Sequence, residues 1–514
     1  MTAFRSFRFQ FASLTLVAAA CALAACTVGP DFRGVPAVAS ESVGAAAFVR
    51  TPAIGMASAP APNDWWLVLN DAQLNALIAA ALAHNPDLRV AEARLRESRA
   101  QLQQQRAAEL PKVSASAAAV RMREPNLSAF SSSQPQGGSG GQRASSGGGP
   151  LQFYTANFDA SWEIDLFGGT RRAVEAASDE ADAVNADLAD AQVSLAAEVA
   201  QAYIDLRDEQ QRLAIAQHTA DLQQQMLTLT EERRAGGTAA EVDVERLTTQ
   251  VESTRSTLTP LAAQVEISLD QLAVLTGKAP GALDAELAAP QTLPALPASV
   301  PVGDPAALIA RRPDIRAVER RLASSNAQIG EHIADFLPKL TLFGDLGFTA
   351  ANPGHLVRKS NFSWVGVPYL QWNVLDFGRT LGAVHGAEAA RDEAGARYEK
   401  AVLGALQDAN GALSRYGYQR EHLVTLQKVQ ASAQRSATLM RERYRAGASS
   451  LVDLLDTQRA EFAAQQNVIS GQAELLKDFV SLQKSLGLGW KPMTQRWVQP
   501  ADGLAQYPRA YPEV

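Results

Sequence analysis

The stretch Asn-Pro-Asp-Leu-Arg at residues 85–89 recurs as Arg-Pro-Asp-Ile-Arg at residues 312–316, which is 227 positions further along the chain. Leu-Pro-Lys at 110–112 recurs at 337–339 with the same separation. Landmarks that repeat in the same order at a fixed spacing indicate a duplicated structural unit. The chain therefore contains two copies of one structural unit, and the fold predicted for one copy applies to both.

Further landmarks continue the repeat. Trp162 recurs as Trp372, and Val-Asp at 242–243 recurs at 452–453, in both cases 210 positions later. Arg-Ala-Gly at 234–236 recurs at 445–447, 211 positions later. The shorter separation means that the first copy holds extra residues before its tryptophan, in a serine- and glycine-rich interval that is typical of a surface loop.

These landmarks divide the chain of 514 residues. The predicted segments are a signal peptide at 1–25, a lipid-tethered leader at 26–69, the first copy at 70–277, a proline-rich linker at 278–303, the second copy at 304–489 and a C-terminal tail at 490–514.

The N-terminus is typical of an exported lipoprotein. A short basic region is followed by an apolar run at 9–20 that is too short to span a membrane as a helix. Leu-Ala-Ala-Cys ending at Cys26 resembles the bacterial lipobox, so Cys26 is predicted to carry lipid and Thr27 after it favours the outer membrane. An ordinary signal peptidase site beside a chance cysteine is the alternative, and Cys21 is a weaker lipidation candidate.

Composition excludes several classes of protein. Both cysteines lie in the first 26 residues, which excludes a disulfide framework and a thiolate metal site in the mature body. The formal net charge of −7 offers no basic surplus for nucleic acid. Aromatic residues make up 6 % of the chain, and abundant alanine and glutamine favour long helices.

Each copy contains two segments with strand periodicity. In residues 152–162, apolar side chains alternate with Thr155, Asn157, Asp159 and Ser161, and residues 113–119 alternate similarly. The second copy supplies 340–348 and 362–372. Runs of this length fit tilted membrane strands, with the polar face towards a water-filled lumen. A soluble hairpin with one buried face is the alternative, but export and aromatic residues near the strand ends favour the membrane.

Long helical segments surround these strands. The first copy predicts a helix over 71–108, a second over 171–234, and a third of some 35 residues that returns to Gly277. Two heptad series run along the second helix, which indicates coiled-coil packing. Each copy is thus a strand hairpin at one end of a helical hairpin about 100 Å long.

Four strands cannot close a membrane barrel, because the backbone groups of an open edge would face hydrocarbon without partners. Known single-chain bacterial barrels begin at eight strands, so several copies of this chain are predicted to pool their strands into one conduit.

Together, the lipobox, the duplicated landmarks and the Trp…Phe-Gly strand ends resemble the TolC-type outer membrane factors, and more narrowly the NodT-like lipoproteins of RND tripartite efflux systems. The resemblance implies a mainly α fold with membrane β structure: a homotrimer with a 12-stranded outer-membrane β-barrel and a periplasmic α-helical barrel. Around these, the leader and linker would form an equatorial belt. It further implies a passive exit duct for drugs or other small toxic compounds, which works with a periplasmic adaptor protein and an inner-membrane RND transporter.

The resemblance places a closed aperture at the helix turns. It assigns gating roles to Asp453, Asp456, Asp243 and Tyr444, and it names Gly236 and Gly447 as the turn glycines. Where some relatives carry a charged residue after the turn, this chain has Ser449, which puts that inter-helix tie in doubt. Alternatively, Asp453 and Asp456 are carboxylates that complement the helix macrodipole.

No enzyme activity and no cofactor are expected, apart from the lipid on Cys26. The six histidines lack metal-ligand spacing, and no phosphate-binding loop is present. Open alternatives are an exported coiled-coil scaffold or adhesin, and the outer duct of a metal-efflux or type I secretion system.

Overall fold

The computed structural model of the protein describes residues 27–52, 55–57, 59–122 and 151–490. The predicted signal peptide, the lipidation site at Cys26, most of the serine- and glycine-rich loop and the tail after residue 490 lie outside these residues.

The described residues are mainly helical. The helices are α1 (Ser40–Val43), α2 (Ala72–His84), α3 (Pro86–Ala107), α4 (Gly169–Ala235), α5 (Glu241–Ser256), α6 (Leu258–Leu275), α7 (Asp284–Leu287), α8 (Pro305–Arg311), α9 (Pro313–Ala334), α10 (Arg379–Arg445) and α11 (Leu451–Ser485). The strands are β1 (Met56–Ala57), β2 (Lys112–Met122), β3 (Leu151–Ile164), β4 (Val300–Pro301), β5 (Lys339–Ala350) and β6 (Phe362–Gln371). Short 3-10 turns cover Trp65–Leu69, Pro353–His355 and Lys359–Asn361.

The four long strands form one antiparallel sheet in the order β2-β3-β5-β6. The central pairing joins β3 of the first copy to β5 of the second, with Trp162 opposite Leu342. The two hairpins therefore share hydrogen bonds, so neither copy completes its sheet alone. The positions of all four strands agree with the alternation of the sequence.

The compact units of the chain differ from the two sequence copies. One unit contains the leader up to Val43, Val90–Asp187 and Asp314–Gly404, and the other contains Gly44–Arg89, Leu188–Pro313 and the residues from Ala405. Each unit draws on both copies, because the sheet of the first unit and the helix core of the second are built from equivalent elements of each. Helices α4 and α10 contribute residues to both units.

The recurring landmarks mark equivalent contacts. The Trp162 indole donates to the carbonyl oxygen of Glu109 at 3.0 Å, and the Trp372 indole donates to that of Phe336 at 2.9 Å. Both carbonyls directly precede a Leu-Pro-Lys landmark. The tryptophan and the turn before each hairpin are thus held together in the same way in both copies.

The residue before each Pro-Asp landmark has a similar repeated function. Asn85 donates from its side chain to the carbonyl oxygen of Leu275 at 2.9 Å, and Arg312 donates to that of Ser485 at 2.9 Å. These carbonyls lie at the C-terminal ends of α6 and α11, where helical acceptors lack partners within the helix. The landmark therefore satisfies the end of the returning helix in each copy.

Two predicted helices are each interrupted. The helix predicted over 71–108 is broken between α2 and α3 because Pro86 disfavours the helical conformation of Asn85. The returning helix of the first copy is divided into α5 and α6 just before Pro260. Proline has no N–H for the carbonyl of Ser256, and its ring collides with that carbonyl in a regular helix. Both corrections follow from prolines within an otherwise periodic pattern.

The core of the second unit packs around Trp65, which is 1 % exposed and meets Phe479 edge-to-face with ring centroids 6.0 Å apart. Arg207 is fully buried and donates to the carbonyl oxygens of Leu287 and Ala289. The linker predicted between the copies is thus attached to α4 and carries the short elements α7 and β4.

The two heptad series of α4 differ in burial. Val199 and Leu206 of one series are fully buried, whereas Leu222 and Leu229 of the other are 49 % and 56 % exposed. One chain therefore covers only one of the two apolar stripes. Among the described residues, no helix combines the length and apolar character that a membrane crossing requires.

Candidate functional site

The predicted aperture residues lie around two helix turns that share one apolar cluster. The first turn joins α4 to α5, and the second joins α10 to α11. The buried members of the cluster come from both hairpins: Leu227, Val244, Leu247, Val251, Leu451, Leu454 and Leu455, with Met226, Met440 and Tyr444 packed against them. The side chains at either turn are therefore positioned by the same core.

The two turns end their helices in the same way. In the first, Gly237 has φ of +75°, and Thr238 N–H donates to the carbonyl of Arg233 at 2.8 Å. In the second, Gly447 has φ of +73°, and Ala448 N–H donates to the carbonyl of Arg443 at 2.8 Å. Both are Schellman motifs, in which a left-handed residue after the helix lets later N–H groups satisfy its last carbonyls.

This geometry shows which glycines of the two turns are equivalent. Gly236 lies in the first turn, but the left-handed residue equivalent to Gly447 is Gly237, at the 210-residue separation that also relates α4 to α10. The Arg-Ala-Gly landmark, at a separation of 211 residues, therefore pairs the two turns one residue out of register with their helices. Two consecutive glycines follow α4, and the local pattern alone does not determine which of them takes the positive φ.

Asp453 belongs to a capping box at the start of α11. Its carboxylate accepts from the Ser450 hydroxyl at 2.7 Å and from the Ser450 N–H at 3.3 Å, while its own N–H donates to the Ser450 hydroxyl oxygen at 3.2 Å. These hydrogen bonds lower the pKa of the Asp453 carboxyl. Asp453 is therefore held ionised at the helix N-terminus, as the macrodipole alternative requires.

Asp456 lies one turn further along α11 and is 65 % exposed at its side chain. It faces Arg459 at 3.6 Å in an ion pair on its own helix. Arg459 also donates to the side-chain oxygen of the buried Gln250 on α5. The carboxylate thus belongs to a short polar chain that joins the two hairpins.

Asp243, at the start of α5, has different partners from Asp453. Its carboxylate lies 3.7 Å from Arg246 of the same helix. The N-cap of α5 is Ala240, which has no side chain to accept a hydrogen bond. The structure therefore places Asp243 in an ion pair within α5.

Tyr444 and Ser449 lie at the second turn. Tyr444 is half-buried against the shared apolar cluster. The Ser449 hydroxyl oxygen is buried and has no hydrogen-bond partner within the described part of the chain. The position at which some relatives carry a charge thus holds a small polar group that makes no tie between helices here.

Two ion pairs at the turns went unrecognised in the sequence. Arg441 on α10 reaches both carboxylate oxygens of Glu461 on α11, at 3.0 and 3.3 Å. Arg234 pairs with Glu241 across the first turn. Opposite charges on either side of a turn glycine are a sequence signal for the Arg234–Glu241 pair. The Arg441–Glu461 pair has no such signal, because it depends on how the two helices pack.

The described residues contain no group of three or more metal-binding side chains. At the turns, the structure instead exposes the carboxylates of Asp453 and Asp456 on α11, and exposed carboxylates attract cations.

Comparison with known proteins assigns the family. The family model for outer membrane efflux proteins matches residues 77–278 and 305–488, more than half of the chain. The chain belongs to the outer membrane efflux protein family.

Relatives extend this match over nearly the whole chain. The antibiotic efflux pump outer membrane protein ArpC of Pseudomonas putida is 30 % identical over 94 % of this chain and 96 % of its own length. Nodulation protein T of Rhizobium leguminosarum bv. trifolii is 29 % identical over 84 % of this chain and 89 % of its own. Among solved structures, the outer-membrane channel OprN gives a TM-score of 0.80 at 35 % identity, over 91 % of this chain and all of that one.

These findings confirm the resemblance to TolC-type, NodT-like outer membrane factors. The fold is that of the trimeric TolC-family channels, with a β-barrel continued by a helical barrel. This outer membrane efflux protein is the outer-membrane channel of an RND-type efflux pump. The scaffold or adhesin alternative is therefore excluded, and the strands of the sheet belong to the membrane barrel.

Proposed function

We propose that this efflux protein is a passive duct for small toxic compounds, has no enzyme activity, and works with a periplasmic adaptor protein and an inner-membrane RND transporter. The single observation that supports this most strongly is the end-to-end match to a protein named for an antibiotic efflux pump, with 94 % of this chain covered. A passive duct has no energy source of its own, so its partners must supply the energy and deliver the substrate.

We further propose that Cys26 carries a lipid anchor. Val28, two residues after Cys26 in the sequence, donates its N–H to the carbonyl oxygen of Phe167 at 3.0 Å, three residues after the end of β3. A lipid anchor at Cys26 would be consistent with this attachment of Val28 near the end of a barrel strand. Replacing Cys26 with alanine should abolish labelling by radioactive fatty acid, and persistent labelling would refute the assignment.

Asp453 and Asp456 are proposed to form charged rings at the periplasmic aperture. They lie three residues apart on α11, both are exposed, and threefold symmetry would repeat each of them. Their negative charge would favour cations at a constriction. Tyr444 and Asp243 would help to hold the turns around that opening, through the apolar cluster and through the first turn of α5 respectively.

Single-channel recordings of the purified protein in planar bilayers test the aperture. The double variant Asp453→Ala/Asp456→Ala should show higher conductance or weaker cation preference than the wild type. Glu399→Ala/Glu421→Ala, which removes the same charge from exposed positions of α10 away from the turns, is the matched control and should change neither. Equal effects of both double variants, or no effect of the first, would contradict the aperture role.

A further inference from the structure

The leader that follows Cys26 is clamped where β3 ends and α4 begins. Arg172 donates to the carbonyl oxygen of Val28 at 3.1 Å and to the Asp31 carboxylate at 2.6 Å, and its side chain is only 4 % exposed. Asn326 on α9 donates to the carbonyl oxygen of Pro30 at 2.8 Å. The leader is therefore part of the folded structure at this level.

Close packing of glycines explains how the leader fits. A Cβ atom on Gly29 would lie 2.4 Å from the Cα of Gly330, and one on Gly168 would lie 2.9 Å from the Cα of Thr27. No other residue type fits there without a backbone shift. The leader is thus packed tightly in place and forms one wall of the adjacent cavity.

Beside the leader is an open cavity of about 470 Å³, within the size range of small-ligand sites. Its walls are the leader, the end of α3, the first turns of α4 and the middle of α9. The charged and aromatic groups that line it are Phe32, Arg106, Arg171, Glu175, Asp179 and Arg320.

The cavity lies close to the end of a barrel strand. Its α4 residues are in the first three turns of that helix, which begins five residues after the end of β3, a barrel strand. In a fold with a β-barrel continued by a helical barrel, this position is next to the membrane barrel, where lipid from the adjacent leaflet is the nearest small amphiphile. A rise of 1.5 Å per residue puts Asp179 only about 15 Å below the start of α4.

The charges in the cavity have both signs. Arg171 is paired with Asp165 at 3.3 Å, and Arg320 lies 3.5 Å from Asp179. Within the described residues, the Arg106 side chain has no hydrogen bond or ion pair, although it is exposed beside the cavity. A guanidinium without a partner is a ready site for a phosphate group.

Each carboxylate in the cavity shares its arginine partner with another acid, Glu175 with Asp31 and Asp179 with Glu319. Glu175 is half-buried and shares the buried Arg172 with Asp31. Burial raises the pKa of Asp179 even though Arg320 opposes the shift. A carboxylate in that condition is stabilised by an additional cation, and a ligand that is only anionic would not supply one.

We propose that this cavity binds the headgroup of a zwitterionic aminophospholipid from the periplasmic leaflet. Arg106 and Arg171 hold the phosphate. Glu175 and Asp179 accept hydrogen bonds from the primary ammonium, and the acyl chains leave past Phe32 towards the membrane. The proposal uses the outer-membrane location of the fold and does not require lipid on Cys26.

Native mass spectrometry of the detergent-solubilised full-length trimer tests the proposal. Phosphatidylethanolamine should bind more tightly than phosphatidylglycerol, which lacks the ammonium, and than phosphatidylcholine, whose quaternary ammonium has no N–H to donate. Arg106→Gln should weaken phosphatidylethanolamine binding about five-fold, as expected for one charge near a lipid surface. Arg96→Gln, at an exposed arginine of the same helix α3, is the matched control and should leave binding unchanged.

The carboxylate side of the site is tested separately. Asp179→Asn should remove the preference for phosphatidylethanolamine over phosphatidylglycerol. Preferred binding of phosphatidylglycerol by the wild type, or equal loss in the Arg106→Gln and Arg96→Gln variants, would overturn the proposal. Displacement of the lipid by millimolar inorganic phosphate would also overturn it, by identifying a phosphate site only.

Single-channel conductance separates this inference from the proposed function. All of these variants should conduct as the wild type does, because none of them lies at the helix turns. Normal conductance with no lipid selectivity would overturn the headgroup site and leave the duct intact.

Discussion

In both helix turns of this efflux protein, the helix before the turn ends in the same way, but the helix after the turn begins differently. Both close with a left-handed glycine, Gly237 or Gly447. Helix α11 then starts with the Ser450/Asp453 capping box, whereas the N-cap of α5 is Ala240, which makes no side-chain hydrogen bond. The aspartates at equivalent positions are therefore used differently. Duplication preserved the path of the chain, while the hydrogen bonds at each N-terminus diverged.

The largest effect is expected from the apolar cluster that both turns share. Leu454→Ala should cost about 2–5 kcal/mol of local stability, and Val244→Ala, at the equivalent position of the first turn, about two thirds as much because fewer side-chain carbon atoms are removed. Native-state hydrogen exchange at residues 235–260 and 440–460 measures the change. Because the cluster is common, each variant should accelerate exchange at both turns, and an effect confined to one would show that the turns are independent.

The turn glycines should rank next. Gly237→Ala and Gly447→Ala should each cost about 1–2 kcal/mol, because alanine is strained at positive φ, although neither position is sterically crowded. Gly236→Ala should be neutral or slightly stabilising, since an added Cβ makes only ordinary contacts there. Thermal unfolding of the three variants would reveal the ranking. A larger loss for Gly236→Ala than for Gly237→Ala would reverse the equivalence assigned to Gly237 and Gly447.

Exchanging the N-cap residues of α11 and α5 should reverse which of the two helices has the more stable first turn. Ser450→Ala should destabilise the start of α11 by about 1 kcal/mol. Ala240→Ser should stabilise the start of α5 by a similar amount if the new hydroxyl pairs with the N–H and carboxylate of Asp243. Hydrogen exchange at the first turn of each helix measures both. Retention of the Asp243–Arg246 ion pair with no added protection would show that α5 cannot form the box.

The smallest effect is expected from acid, which should destabilise the start of α11 at the second turn by protonating Asp453. The folded pKa of its carboxyl is lowered from 3.8, so its stabilisation is complete above that value and is lost as the pH falls through the lower folded pKa. Hydrogen exchange at the start of α11 should therefore accelerate below about pH 4, after correction for intrinsic rates. The Ser450→Ala variant should show a weaker dependence, and an identical dependence would rule out the capping box as its cause.

Local pattern predicted those features that depend on near neighbours in the sequence. Period-two alternation located the strands that pair through Trp162, because alternation depends only on residues adjacent in the sequence. The helical breaks at Pro86 and Pro260 differ from the prediction because the helical periodicity continues on both sides of each proline and favours one long helix. The choice between Gly236 and Gly237 had no local signal.

The candidate site was less predictable because its contacts cross the turns. The sequence placed Asp453 and Asp456 on one helical face but did not reveal that a serine hydroxyl binds one and an arginine the other. Ion pairs such as Arg441–Glu461 depend on which faces of two helices meet. That choice depends on packing along the whole hairpin.

By itself, the sequence determined the duplication, the order of strands and helices, and the family, because these follow from periodicity and from landmarks that recur at fixed spacing. Only the tertiary structure decided which heptad stripe of α4 is covered within the chain, burying Leu206 and leaving Leu222 exposed. It also decided which residues of the leader and of α3, α4 and α9 meet around one cavity. The physical reason is that periodicity specifies which face of a helix is apolar, whereas the partner of that face depends on contacts between residues far apart in the sequence.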